Sequence, residues 1–234
     1  MSYQYFYLVW AFIFLIIWAV FFFQRKDFRR EMFIMSLIFG LGGLFAQPIY
    51  ILDYWKPLTI TGTYIGIEDF LIGFAIGGIA SIIYEIVMKK RNVRAPSRQK
   101  IWRDSYAFFG SFGFLFLILF YMFNIDSIHT TIIAYLISIS VVLFLRNDLI
   151  IVSVISGIYM LCIGIGVYLL LFIPYPNYIK EFWFFSGHWY EIGIFGIPLS
   201  EYLWYFLTGA FIGPLYEFIE GLTKRSLPRY TQKP

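Results

Sequence analysis

The stretch I65-G-I-E-D-F-L-I-G-F-A-I-G-G-I-A-S-I-I-Y-E-I86 returns 132 residues later as I197-P-L-S-E-Y-L-W-Y-F-L-T-G-A-F-I-G-P-L-Y-E-F218. Aligned without a gap, the two share Ile65/Ile197, Leu71/Leu203, Phe74/Phe206, Gly77/Gly209, Tyr84/Tyr216 and Glu85/Glu217, and Asp69 stands opposite Glu201. These six identities compare with about two expected by chance from so skewed a composition. Each copy is an apolar helix that opens on an acid and closes on Tyr-Glu. A carboxylate kept twice in hydrocarbon is costly, so these acids are the first place to look for chemistry.

The rest of the chain supports a hydrocarbon setting. Hydrophobic residues make up 60% of its 234 positions and charged residues 14%, which is too apolar for a soluble domain and marks a membrane protein. Cys162 is the only cysteine, so an internal disulfide and a multi-thiolate metal site are excluded. The first apolar stretch, Tyr3–Phe23, has no basic segment before it and is followed at once by R25-K-D-F-R-R30. It reads as a retained signal anchor.

Seven stretches are long enough on sequence grounds to cross about 30 Å of hydrocarbon. They lie near Tyr3–Phe23, Met32–Leu52, Ile67–Met88, Tyr106–Phe123, Thr130–Leu145, Leu149–Phe172 and Leu199–Leu222. With the N-terminus outside, the inner segments are Gln24–Glu31, Lys89–Arg103, Arg146–Asp148 and the tail from Thr223. They carry 4, 7, 1 and 4 of the 18 Lys and Arg residues, leaving only Lys56 and Lys180 outside. Such sorting follows the positive-inside rule and places the C-terminus in the cytoplasm. The net charge of +4 is therefore a topological signal. The basic loop Lys89–Arg103 suits anionic membrane lipid and not nucleic acid.

The repeat also extends outward from the opening match. Arg25/Asp27, between the first two spans, resembles Arg146/Asp148, between the fifth and sixth. Each half reads helix, basic turn, helix, outer loop, acidic helix. The expected fold is an all-α polytopic membrane helix bundle: a first three-helix repeat over 1–92, a basic loop and linking helix over 93–125, and a second three-helix repeat over 126–234. An odd helix between the units gives both copies the same orientation, as in parallel repeats related by an axis along the membrane normal, where substrates tend to bind between the repeats. Trp55 and Trp189 precede the two acidic helices and are expected as interfacial anchors.

Two layers of acid follow. Glu68, Asp69 and Glu201 lie near the outer ends; Glu85, Glu217 and Glu220 lie near the cytoplasmic ends, about 24 Å of helix away. The inner layer abuts Lys89, Lys90, Arg91, Lys224 and Arg225 and reads as interfacial salt bridges. The outer layer has only Lys56, Lys180 and His188 nearby in sequence. It suits either proton-transfer chemistry or the capping of helix N-termini. The stripes Asp69, Gly73, Gly77, Ala80, Tyr84 and Glu201, Tyr205, Gly209, Gly213, Tyr216 each occupy about one helix face, and their Gly-x-x-x-Gly spacings allow close backbone approach. Gly40-L-Gly42-Gly43 and Gly164-I-Gly166 lie inside apolar helices with no strand before them, so no nucleotide loop is expected. His129 and His188 are the only histidines, which excludes a His-built metal centre. No lysine lies in a helix interior to carry retinal.

A Trp-preceded loop, then Gly/Pro-Ile/Leu-acid-acid opening an apolar helix, repeated once in such a chain, resembles the lycopene cyclase domain family. The family motif is Pro-Ile/Leu-Glu-Glu. Here the copies read Gly66-Ile67-Glu68-Asp69 and Pro198-Leu199-Ser200-Glu201, so the first lacks the proline and shortens one acid, and the second has serine for one acid. The resemblance implies a cofactor-free, metal-free membrane enzyme that isomerises an open carotenoid or other isoprenoid end group into an ionone ring. Glu68 or Asp69 would protonate the terminal alkene. Tyr202, Trp204 and Tyr205 would hold the cation on their faces, Glu201 would remove a ring proton, and Tyr84 and Tyr216 would line the substrate path. The competing readings are an isoprenoid-lipid binder or a proton-coupled carrier on the same scaffold. If the orientation is as read, a cytoplasm-dependent reporter fused after Pro234 is active and one fused before Met1 is silent; the reverse pattern overturns the assignment.

Overall fold

The computed structural model describes residues 3–94, 102–184 and 193–226, with side chains described from Phe108 onward in the second segment. The chain is mostly helical. Helix α1 spans Phe6–Gln24, α2 Arg29–Asp53 and α3 Ile67–Val87; a strand, β1, follows at Lys90–Arg94. After α4 (Trp102–Tyr121) come α5 (Ser127–Leu145), α6 (Ile150–Phe172) and a short α7 (Tyr178–Phe182). Strands β2 (Gly193–Ile194) and β3 (Ile197–Pro198) form a small antiparallel hairpin. Then α8 (Leu199–Ile212), α9 (Leu215–Glu220) and β4 (Leu222–Ser226) close the chain. The all-α expectation is corrected by these two short ribbons.

Among the described residues five helical stretches, not seven, are long and apolar enough to cross a bilayer: Tyr3–Gln24, Lys26–Asp53, Ile67–Val87, Ser127–Leu145 and Asn147–Phe172. The expected span Leu199–Leu222 is interrupted at Gly213-Pro214, where α8 stops after 14 residues and α9 adds only 6. Proline has no N–H to donate to the helical ladder, and 14 residues rise only about 21 Å. In the fourth segment α4 runs 20 residues, and Phe108–Tyr121 is its apolar part among the residues with described side chains. The five long helices make the chain a multi-pass membrane protein by length and composition.

Its two most extensive helix pairs are α2 with α3 and α6 with α8, and they are packed alike. A Cβ added at Gly77 would stand 2.7 Å from the Met35 carbonyl oxygen and 2.7 Å from the Phe39 Cβ. One added at Gly209 would meet the Ser156 carbonyl and the Met160 Cβ, 2.6 Å away. Gly77/Gly209 are 132 apart, and Met35/Ser156 and Phe39/Met160 are both 121 apart. The same backbone approach is therefore built twice, and without a hydrophobic force between helices in lipid it supplies much of the association.

The basic turns repeat as well. Arg25 chelates Asp27 at 3.0 and 2.9 Å and donates to the carbonyls of Glu85 (3.0 Å) and Lys90 (2.9 Å). Arg146 chelates Asp148 at 2.9 Å twice and donates to the carbonyls of Glu217 (3.2 Å) and Leu222 (2.7 Å). Each guanidinium thus ties the end of its half's acidic segment to the strand that follows. Strands β1 and β4 then pair antiparallel, Lys90 with Ser226 through Arg94 with Leu222. The central pair, Asn92 with Lys224, is itself 132 residues apart, so the local two-fold axis of the ribbon passes between them.

Replacing Gly77 or Gly209 with leucine should destabilise the fold by about 1–3 kcal/mol or more through overpacking against backbone. Gly166→Ala, where nothing stands within 4 Å of the added carbon, should change little. Thermal unfolding in detergent reads both.

Candidate functional site

Four first-turn groups, Glu68, Asp69, Ser200 and Glu201, are 0–5% exposed; none faces outward. Asp69 does cap its helix: its Oδ2 accepts the Gly66 N–H at 2.7 Å. Its Oδ1 meanwhile accepts the Tyr7 hydroxyl at 2.5 Å, so capping uses only one oxygen. Glu68 accepts the Ile60 N–H on Oε1 at 2.7 Å, and its Oε2 is buried with no hydrogen-bond partner among the described residues.

Glu201 is held differently. Its Oε1 accepts the Tyr54 hydroxyl at 2.6 Å and the Trp183 indole N–H at 3.1 Å, and its Oε2 accepts the Tyr168 hydroxyl at 2.8 Å. Ser200 Oγ stands 2.9 Å from the same Tyr54 hydroxyl. No side chain caps α8. The second acid is therefore a buried side-chain node, fed by α2, α6 and the loop after α7.

Backbone pairing places that loop. The Lys56 N–H donates to the Phe182 carbonyl and the Phe184 N–H to the Tyr54 carbonyl, both at 2.8 Å, making a Trp55–Trp183 bridge. The two indoles lie 4.9 Å apart. Trp55 also meets the Tyr7 ring at 5.0 Å and the Trp10 ring at 5.7 Å, and Trp10 meets Tyr168 at 5.3 Å. Rings thus run without a break from the tyrosine that holds Asp69 to the tryptophan and tyrosine that hold Glu201. The expected role of Trp55 as an interfacial anchor is corrected: it is 8% exposed and part of this cluster. Trp189 and His188 lie outside the described residues.

The aromatic residues singled out from sequence are scattered. Tyr202 donates its hydroxyl to the Ile194 carbonyl at 2.9 Å, and Trp204 is half-buried, edge-on to Tyr205 at 5.1 Å. Tyr205 is fully buried against Tyr168 and Phe14, both 6.1 Å away, and so borders the cluster. Tyr84 is buried in the last turn of α3 and Tyr216 in α9, and Lys224 stands 5.7 Å over the Tyr84 ring. Tyr7, Trp10, Tyr54, Tyr168 and Trp183 were missed because they come from other helices and loops. The one local signal was a polar-tipped ring inside an apolar helix, which when buried needs a partner for its O–H or N–H.

At the other end of α3 Lys224 contacts both Glu85 and Glu217, and Arg30 stands 3.7 Å from Glu220. This part of the expected salt-bridge layer is present. Burial pulls the Lys224 ammonium down to about 7, against the opposing pull of Glu31. Among the described residues no cluster of His, Cys, Asp and Glu has a metal-holding arrangement. Two clefts of about 230 and 240 Å³ lie elsewhere, one lined by Lys56, Thr59, Tyr64 and Phe184, the other by Asp53, Tyr121 and Asp126. Comparison with protein families, characterised proteins and solved structures finds no match.

Tyr54→Phe removes one of three donors from a buried carboxyl and should cost about 1–3 kcal/mol. Tyr202→Phe, on a half-buried loop contact, should cost less than about 1 kcal/mol. Denaturant unfolding of the two variants against the parent checks the difference.

Proposed function

We propose that this multi-pass membrane protein is a lycopene cyclase-type enzyme that performs a redox-neutral, acid-catalysed ring closure on a carotenoid or other isoprenoid end group. The observation that carries the reading is the placing of buried acids at both ends of an unbroken set of aromatic rings. Carbocation chemistry needs a proton donor, faces that stabilise positive charge, a base and exclusion of water. The outer cluster has candidates for each.

In this reading Glu68, or Asp69 beside it, donates a proton to the terminal alkene, and the Oε2 of Glu68 is the oxygen left unengaged. A tertiary cation forms, an internal double bond attacks it, and one carbon–carbon bond closes the ring. The ring cation lies against Trp10, Trp55, Trp183 and Tyr168 in place of Tyr202 and Trp204. Glu201, held by three donors in its ionised form, removes a ring proton as the new double bond forms. One proton enters and one leaves, so no electron acceptor is needed. The protein would act with its N-terminus outside and its C-terminus cytoplasmic, taking substrate from membrane lipid.

The close packing of the rings on one another favours a second reading. On it the outer cluster is a structural polar core, and the protein binds isoprenoid lipid or couples a proton to transport without converting anything. Expression in cells that accumulate lycopene separates the two. Cyclase activity gives β- or ε-ring products by chromatography. Glu201→Gln lowers conversion by about 100-fold or more, and Tyr202→Phe leaves it near the parent level. An inserted, folded chain that yields only lycopene selects the second reading.

A further inference from the structure

A second group of acids sits at the other end of α3 and takes no part in the outer chemistry. Glu31 of α2, Glu85 of α3 and Glu217 of α9 are 3%, 0% and 0% exposed. Each has one buried oxygen with no hydrogen-bond partner among the described residues: Glu31 Oε1, Glu85 Oε2 and Glu217 Oε2. They surround the central pair of the ribbon. The Asn92 side-chain amide donates to Glu31 at 2.7 Å and to Glu217 at 3.0 Å. Lys224 contacts Glu85 and Glu217 and donates to the Asn92 side-chain Oδ1 at 2.9 Å.

Among the described residues, Lys224 is the cation in contact with Glu85 and Glu217. Lys224 balances at most one of the three carboxylates. The guanidinium of Arg25 is engaged by Asp27 and two carbonyls, and that of Arg146 by Asp148 and two carbonyls. Arg30, largely exposed, pairs with Glu220. Tyr84 and Tyr216 flank the acids as neutral rings, and β1 contributes Lys90 and Arg91. Buried like charges at short range cannot all ionise, and uncompensated buried carboxylates are costly. No metal-holding arrangement exists among the described residues. Glu31 and Glu217 accept from the same Asn92 amide nitrogen, at 2.7 and 3.0 Å, so the two carboxyls are neighbours. Two carboxylates cannot bond to each other; a carboxylic acid and a carboxylate can.

We propose that Glu31 and Glu217 form a buried proton-binding site, one proton shared between the two carboxyls that the Asn92 amide joins. The bound proton supplies the missing countercharge, and it fastens the ribbon that joins the two halves. Glu85 and Glu217 are repeat equivalents, but Glu31 stands where the second half has Val152. The site is therefore a one-sided addition to a symmetric frame. It stands or falls independently of the cyclase reading.

Infrared difference spectra of the full chain in lipid nanodiscs, in H₂O and D₂O, test it. The parent shows a protonated-carboxyl band from this site at neutral pH. Glu31→Gln and Glu217→Gln each remove it, Glu220→Gln retains it, and Lys224→Met adds intensity because a second proton must bind. Should the variants fail to insert, solid-state NMR of the parent with labelled Glu and Asn reads a protonated Glu carboxyl in contact with the Asn92 amide. A band that survives both Glu31→Gln and Glu217→Gln overturns the proposal. So does displacement of the band by sodium or calcium at constant pH, or the lack of any protonated Glu beside Asn92.

Discussion

A carboxylate removed from water must find its donors inside the protein, and in hydrocarbon no solvent makes up a shortfall. That requirement organises this fold at both ends. Glu201, from the second half, takes its donors from Tyr54 of α2, from Tyr168 of α6 and from Trp183. Lys224, also from the second half, reaches Glu85 of the first. Each end is thus fastened by polar contacts that cross from one half to the other. Breaking either would strand a buried charge.

Between these ends the helices are held by shape. Gly77 and Gly209 let backbones meet where larger residues would separate them, so dispersion acts over long helix faces. The two arginine turns set the strand that follows each acidic helix, and the strands meet on a local two-fold axis at Asn92 and Lys224. Symmetry is then broken where chemistry is most concentrated. Asp69 caps a helix and binds one tyrosine, whereas its counterpart Glu201 caps nothing and binds three side chains. Equivalent positions of the duplicated scaffold thus hold their acids in unlike surroundings.

Much of the scaffold was legible along the chain. The repeat, the apolar helices α1, α2, α3, α5 and α6, and the Arg-x-Asp turns all depend on local composition and fixed spacing, which a single sequence displays. The interruption of α8 was present as Pro214 but was outweighed by the apolar run around it. The loss of one N–H from the helical ladder decided the matter. The candidate acids Glu68, Asp69 and Glu201 were legible because charge in an apolar helix stands out.

Their surroundings were not legible. Tyr7 lies 62 residues from Asp69, and Tyr54 lies 147 from Glu201. Nothing in the spacing of such pairs records that they meet. Trp55 reads as a membrane-surface anchor in sequence and becomes a buried ring only because loop backbones pair beside Trp183. The sequence by itself determined a duplicated, lipid-embedded helical chain with acids at both ends, since period, charge and hydropathy are properties of neighbours along the chain. Only the tertiary structure decided which acids cap, which are held by rings and which crowd one another, because burial and hydrogen bonding depend on what the fold brings together.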